Sequence, residues 1–222
     1  MRYRCLIFDH DDTTVDSTRN VHYPCFLEYM AKENPEAIVT LEEYVRYNFS
    51  PGVLWFFREY CGLSEEELEI EQEYWRNYAR VHRATAFPGI REIMLRQKAE
   101  GGLIAVISHS YTENIRRDFA YNDLPEPDAL FGWEEPPRER KPSPVPVRKL
   151  MERYDLKPEE ILVIDDLKPG LDMARAAGVA IATAGWCFDI PENEAYLRQN
   201  ADFYCPTVAD LARVCFEEKS IL

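Results

Sequence analysis

Residues 5–17 read CLIFDHDDTTVDS, and this stretch decides the fold of the chain. Its first four residues are apolar, which is typical of a short strand that is buried on both faces. The run ends abruptly in Asp9, His10 and Asp11, so the strand places carboxylates at its carboxyl end. In open α/β sheets, ligands bind at the edge that such strand ends form. The stretch predicts a site at that edge, although a lone acidic turn would read in the same way.

Two further apolar runs end in polar residues. Residues 103–107 lead into Ser108, and residues 161–164 lead into Asp165 and Asp166. Because parallel strands end at the same edge of a sheet, these side chains are expected to lie close to the first group of acids. Strand-like and helix-like segments alternate over the second half of the chain. This alternation predicts an α/β fold in which a parallel sheet is covered by helices on both faces.

The segment between the first and second predicted strands has a different character. Its apolar residues recur at helical spacing, and it contains no convincing strand. Ser64 and Glu67 form a capping-box pattern that opens a long helix. We therefore expect two domains, a Rossmann-like core at residues 1–16 and 85–222 and an inserted all-helical cap at residues 17–84.

The composition is that of a soluble globular protein and argues against several partners. Hydrophobic residues make up 46% of the 222 residues, and the formal charge is −14. A nucleic acid or an anionic membrane would require a basic surface, so we expect neither as a partner. No apolar run approaches the ~18 residues of a membrane helix, and the six cysteines have no metal-binding spacing. We expect a cytoplasmic protein that is a monomer or a weak homodimer.

Several carboxylates at one edge of a sheet need a counter-charge. Two like charges ~4 Å apart repel by ~4 kcal/mol at an effective dielectric constant near 20. Ligand sets made only of oxygen suit a hard divalent cation, and acids from separate strands with room for a phosphate favour Mg²⁺ over Ca²⁺. Mg²⁺ is therefore the expected cofactor.

In their order and spacing, these motifs resemble those of the haloacid dehalogenase superfamily, in particular the phosphoglycolate phosphatase and β-phosphoglucomutase-like subgroup with a helical cap. FDHDDTTVDS is similar to the first motif, DxDGTLxDS, and LIAVISHS is similar to the second, a hydrophobic strand that ends in Ser or Thr. Lys141 in RKPSPVPVRKL resembles the lysine of the third motif, and ILVIDDLKPG resembles the fourth motif in its form with paired acids. Asp12 stands where the family usually has Gly, but Asp tolerates the left-handed backbone of that turn.

The resemblance implies a Mg²⁺-dependent phosphatase that hydrolyses a small phosphorylated metabolite. Asp9 would attack phosphorus to form an aspartyl-phosphate. Asp11 would protonate the leaving oxygen and later take a proton from water. The implied phosphate-binding residues are Ser108, His109 and Lys141, and the implied metal ligands are Asp9, Asp11 through its backbone carbonyl, Asp165 and Asp166.

Two alternative functions stay open. A phosphomutase of the β-phosphoglucomutase type would share the paired acids of the fourth motif, but it expects a histidine on the first cap helix. His22 is one residue out of register with that pattern. A catalytically silent member that binds a ligand would not need the intact acids at positions 9, 11 and 166. Dehalogenation is disfavoured, because the resemblance implies that true dehalogenases lack the second acid of the first motif.

Selection among substrates is expected to come from the cap, since every candidate substrate shares the phosphoryl group. The sequence predicts a loop at residues 48–52 between two cap helices, with Arg46 just before it. Arg46, Asn48 and Ser50 are the candidate specificity residues. An ordinary helix–helix turn is the alternative interpretation.

Overall fold

A computed structural model describes residues 1–217 and divides the chain into two compact units. The sheet unit consists of Met1–Val15 and Ala86–Leu222, and the helical unit is Asp16–Thr85. Residues 218–222, the end of the predicted core, lie outside the described residues. The predicted boundaries fall within one residue of this division.

The strands of the described residues form one parallel sheet in the sheet unit. They are β1 (Cys5–Phe8), β2 (Leu103–Ile107), β3 (Ala129–Phe131), β4 (Ile161–Asp165), β5 (Ala180–Ala184) and β6 (Phe203–Cys205). Neighbouring strands pair in parallel in the order β3-β2-β1-β4-β5-β6. The predicted α/β fold is thereby confirmed, and the three apolar runs singled out in the sequence are adjacent strands.

The register of the sheet brings the ends of β1 and β4 level. Phe8 pairs with Ile164 on one side and with Val106 of β2 on the other. Asp9 and Asp165 each follow a paired position, and the Asp9 N–H donates to the Ile164 carbonyl oxygen at 2.8 Å. The two acids are therefore neighbours at the carboxyl edge of the sheet.

Ten α-helices lie within the described residues. They are α1 (Tyr23–Glu33), α2 (Leu41–Phe49), α3 (Val53–Trp55), α4 (Glu65–Val81), α5 (Ile90–Ala99), α6 (Thr112–Tyr121), α7 (Val145–Tyr154), α8 (Lys168–Ala177), α9 (Pro191–Asn200) and α10 (Val208–Phe216). None of them is both long and apolar enough to cross a membrane in this part of the chain.

Helices cover both faces of the sheet. Alternate side chains of a strand point to opposite faces, so Leu6 and Phe8 pack in one hydrophobic cluster with α5, α6 and α10. Cys5 and Ile7 pack in a second cluster with α7 and α8. Burial on both faces explains why these strands read as unbroken apolar runs.

The helical unit has an aromatic core of its own. The rings of Phe26, Tyr44 and Phe56 are buried, with centroids between 5.0 and 5.7 Å apart. The capping box of Ser64 and Glu67 begins α4, as predicted. No strand occurs in residues 16–85, in agreement with an all-helical unit.

One boundary that concerns a candidate residue was wrong. The sequence analysis placed Asn48 and Phe49 in a loop, whereas α2 continues through both of them. Phe49 is buried, so the packing of its ring favours two more helical residues over the predicted loop. The actual turn is limited to residues 50–52, and it ends at Gly52, whose φ of 121° favours glycine.

Candidate active site

Lys141 is buried and joins two of the predicted acids. Its Nζ lies 2.8 Å from Asp9 Oδ1 and 2.7 Å from Asp165 Oδ2. Burial alone would lower the pKa of Lys141, but the charges of Asp165 and Asp9 outweigh burial and raise that pKa. Lys141 is therefore a permanent cation, held between the end of β1 and the end of β4.

Asp165 is fixed from three directions. Besides Lys141, it accepts a hydrogen bond from the Leu167 N–H, which lies 2.9 Å from Oδ1. Helix α8 packs so closely that a Cβ atom added at Gly170 would lie 2.0 Å from the Asp165 carboxyl group. Burial raises the pKa of Asp165 to about 6, although Lys141 opposes the shift. This carboxylate is costly to bury, and glycine at position 170 makes room for it.

Three acids converge at this edge of the sheet. Asp9, Asp165 and Asp166 each place one carboxylate oxygen within 4.8 Å of the other two. Burial raises the pKa of Asp166 well above its ordinary value, and the charge of Asp165 raises it further. Thr13 Oγ1 donates to Asp166 Oδ1 at 3.0 Å. One lysine does not balance three carboxylates, and a donor set made only of oxygen fits Mg²⁺.

Asp11 is held separately from these three acids. Its Oδ2 accepts a hydrogen bond from the Ser110 hydroxyl at 2.5 Å. The turn that follows it has a left-handed residue, Asp12, with φ of 57°, as the sequence analysis allowed. The Thr14 hydroxyl closes the turn by donating to the Asp9 carbonyl oxygen at 2.6 Å. These bonds fix the Asp11 carboxyl group relative to the end of β1.

Ser108 and His109 form the turn after β2. Ser108 Oγ accepts the N–H of Ser110 at 3.1 Å, so it caps the turn and keeps its own hydroxyl proton. His109 Nε2 lies 3.0 Å from the Lys141 carbonyl oxygen, which can only accept. The Nε2 atom therefore carries the proton. Burial and the nearby Lys141 charge lower the pKa of His109 to about 4, so the ring is neutral and its Nδ1 is an acceptor.

The candidate specificity residues belong to the helical unit. Arg46 pairs with Glu42 one turn earlier on α2, at 2.7 Å. Asn48 is half-buried in the last turn of α2, and Ser50 is exposed in the turn that follows. Their role in substrate selection stays a prediction.

Two hydroxyl groups at the site were not assigned from the sequence. Ser110 orients Asp11, and Thr13 orients Asp166. Both stand inside motifs that the sequence analysis quoted, within two residues of an assigned residue. Their positions inside the motifs indicate that they lie near the site. Hydroxyl groups are common in turns, however, and only the fold shows which acid each one contacts.

Comparison with known proteins identifies the family of this chain. The family model described as haloacid dehalogenase-like hydrolase matches residues 6–184. A phosphoglycolate phosphatase of Aquifex aeolicus is 26% identical over 226 residues, which cover 95% of this chain and 96% of that protein. A PpaX protein of Caldanaerobacter subterraneus, described as a pyrophosphatase, is also 26% identical, over 96% of this chain and 95% of its own.

Solved structures share the fold. A haloacid dehalogenase-like protein from Bacteroides fragilis superposes with a TM-score of 0.80 at 23% identity, over 94% of this chain and 99% of that one. The chain belongs to the haloacid dehalogenase-like hydrolases. The predicted enzyme class, a phosphoric monoester hydrolase, is thereby confirmed.

Proposed function

We propose that this protein is a Mg²⁺-dependent phosphatase that hydrolyses a small phosphorylated metabolite through an aspartyl-phosphate. The observation that carries the proposal is the Lys141 ammonium group. It lies between Asp9 and Asp165, and Asp166 is the third acid that converges there. A structural salt bridge alone would not gather a third carboxylate at this edge, because that adds repulsion with no packing gain. The names of the A. aeolicus and C. subterraneus relatives support a small substrate with a phosphoryl group.

In the proposed reaction, Asp9 and Asp11 act in sequence. A carboxylate oxygen of Asp9 attacks phosphorus, the bond to the leaving oxygen breaks, and Asp11 gives that oxygen a proton. Water then attacks the phosphorus of the aspartyl-phosphate and loses a proton to Asp11, which releases phosphate and restores Asp9. Lys141 orients Asp9 and offsets the negative charge of the phosphoryl oxygens. The Ser108 hydroxyl and the backbone N–H of His109 donate to those oxygens.

Mg²⁺ would be held by Asp9, Asp166 and the backbone carbonyl of Asp11, with Asp165 next to them. When bound, the ion neutralises charge on the phosphoryl group and on the acids. The observations that support this assignment are the convergence of the three carboxylates and the raised pKa of Asp166, a partly buried acid whose repulsion by Asp165, Asp12 and Asp9 is only partly offset by Lys141.

Hydrolysis of p-nitrophenyl phosphate tests this proposal. Wild-type protein should release p-nitrophenol with Mg²⁺ and not with a chelator, and Asp9→Asn should lower kcat by at least about 10³-fold. Asp11→Asn should slow both the formation and the hydrolysis of the phosphoenzyme. Asp172→Asn, at an exposed position of α8, is a control that removes the same charge.

Two outcomes would refute the mechanism: full activity in chelator, or a kcat of Asp9→Asn that stays close to the wild-type value. Absence of any phosphatase activity in the wild type would favour the catalytically silent alternative. The paired acids Asp165 and Asp166 would also suit a phosphomutase, but His22, the nearest histidine to the position that a phosphomutase expects, accepts a hydrogen bond from Trp75 at 2.8 Å within the helical unit. We also propose that the helical unit serves as a cap and that Arg46, Asn48 and Ser50 contribute to substrate selection.

A further inference from the structure

Arg140, the residue before Lys141, is held in a fixed orientation. Its Nε donates a hydrogen bond to the Glu135 carbonyl oxygen at 2.6 Å. Its guanidinium carbon lies 3.9 Å from the centre of the Trp133 ring, a cation–π contact. The ring fixes the plane of the guanidinium group, and the carbonyl oxygen fixes one of its edges.

The remaining edge of this guanidinium group has no protein partner. Among residues 1–217, no carboxylate forms an ion pair with Arg140, and its terminal nitrogens donate no hydrogen bond. Some other arginines of the sheet unit pair with acids, for example Arg91 with Asp123 and Arg198 with Glu194. The charge of Glu134 acts on Arg140 but forms no ion pair with it, so in a chain of formal charge −14 this oriented arginine is available to an anionic ligand.

The Trp133 ring connects Arg140 to the proposed phosphate site. His109 contacts Trp133 edge to face, with ring centroids 5.8 Å apart. The backbone N–H of Trp133 donates to the Ser110 carbonyl oxygen at 2.9 Å, which ties the Trp133 backbone to the turn after β2. His109 in turn donates to the Lys141 backbone. Arg140 thus lies one aromatic ring away from the turn that is proposed to bind the phosphoryl group.

We propose that Arg140, stacked on Trp133, binds a second anionic group on the leaving part of the substrate. This inference rests on the proposed phosphatase function and adds the class of substrate: a phosphate ester or anhydride whose leaving group carries a carboxylate or another phosphate. A guanidinium group held by one edge presents its other N–H groups as a planar fork, which matches either anion. Residues of the sheet unit would then contribute to the selection of the substrate.

The kinetic test compares substrates that differ in the second anion. The readout is the ratio of kcat/KM for 2-phosphoglycolate, or for pyrophosphate, to that for p-nitrophenyl phosphate at saturating Mg²⁺. Arg140→Gln should lower this ratio by about tenfold to hundredfold, mainly through KM, because charge-assisted hydrogen bonds to the second anion are lost. Arg140→Lys keeps the charge but not the fork, and should give an intermediate ratio. Arg138→Gln removes an equal charge from an exposed site nearby and should leave the ratio unchanged.

A binding measurement makes the test independent of turnover. Calorimetry with Mg²⁺ would compare phosphonoacetate and methylenediphosphonate, which carry two anionic groups, with methylphosphonate, which carries one. Arg140→Gln should weaken binding of the first two relative to the third. A loss for phosphonoacetate alone identifies the second anion as a carboxylate, and a loss for methylenediphosphonate alone identifies it as a phosphate.

The inference is overturned if Arg140→Gln weakens the binding of all three probes equally, or of none of them. It is also overturned if Arg138→Gln changes the binding preference as much as Arg140→Gln does. If the wild type hydrolyses p-nitrophenyl phosphate but the ratio does not depend on Arg140, this inference fails and the proposed function stands. If the binding preference depends on Arg140 but no phosphate ester is hydrolysed, the proposed function fails and the anion site stands.

Discussion

At the scale of single residues, His10 stands between two acids of the site in the sequence, but its side chain packs against helix α6. It is 1% exposed, and its Nε2 lies 3.2 Å from Asp118 Oδ2 on α6. Its ring stacks on Phe119, with centroids 6.1 Å apart. The residue between Asp9 and Asp11 thus anchors the turn to a helix that packs on the sheet.

We expect Asp118→Ala to destabilise the sheet unit by about 1–3 kcal/mol, because it leaves the His10 imidazole buried without its partner. Denaturant unfolding would measure the change in the free energy of unfolding. Glu126→Ala is the matched control, since its ion pair with Arg116 is exposed and such pairs contribute about 0–1 kcal/mol. Equal effects of the two substitutions would show that the buried pair has no special contribution.

The acids of the site could be predicted because strand ends leave a clear pattern in the sequence, an apolar run followed by carboxylates. The contact between His10 and Asp118 could not, because the two residues are 108 positions apart and each is an ordinary polar residue of its segment. The same holds for Ser110 and Asp11, whose pairing depends on the side-chain orientation at two loops.

At the scale of elements, helix α4 buries an acidic side chain in the helical unit. Glu71 lies on α4 and is buried, and burial raises its pKa to about 7, although the charge of His22 opposes the shift. Below about pH 4.5, Glu71 is protonated in both the folded and the unfolded chain. Between that pH and about 7, the folded state retains a proton that the unfolded state has lost, so stability falls as the pH rises.

Glu71→Gln should therefore raise the free energy of unfolding by up to about 3 kcal/mol at pH 8 and change it little at pH 4.5. Chemical denaturation followed by circular dichroism across this pH range would measure the difference. Glu69→Gln, at an exposed position of the same helix, is the control and should show no such pH dependence. A stabilisation by Glu71→Gln that is independent of pH would contradict the assignment.

The helices and strands differ in how clearly the sequence predicts them. The strands and α4 have strong local signals, either an apolar run or a capping box. Helix α9 was missed because Leu197 is its only fully buried residue, so it has almost no apolar periodicity to detect. The first helical segment begins with a π-helical stretch, Thr18–His22, that propensities do not distinguish from an α-helix.

At the scale of the whole molecule, the alternation of strand-like and helix-like segments was enough to predict the α/β class, because parallel strands need helical crossovers. The order β3-β2-β1-β4-β5-β6 did not follow from alternation, since nothing local states which strand is central. That central position of β1 assembles the candidate site. It places the first motif between the second and the fourth, where Asp9 reaches Lys141 and the paired acids.

The overall charge of the molecule gives a prediction about substrate capture. A formal charge of −14 repels an anionic substrate at long range, and Lys141 is already balanced by Asp9 and Asp165. Salt screens the long-range repulsion, with a Debye length of about 30 Å at 0.01 M and about 8 Å at 0.15 M. At fixed free Mg²⁺, kcat/KM should therefore rise several-fold between these ionic strengths.

The size of this salt effect should follow the charge of the substrate. Because the repulsion scales with the product of the two charges, the rise should be steeper for 2-phosphoglycolate than for p-nitrophenyl phosphate. Steady-state kinetics in a series of KCl concentrations at constant pH would measure both slopes. A fall in kcat/KM with salt would instead mean that the substrate is attracted by a local positive field around Arg140 and the proposed Mg²⁺ site, which then outweighs the charge of the whole molecule.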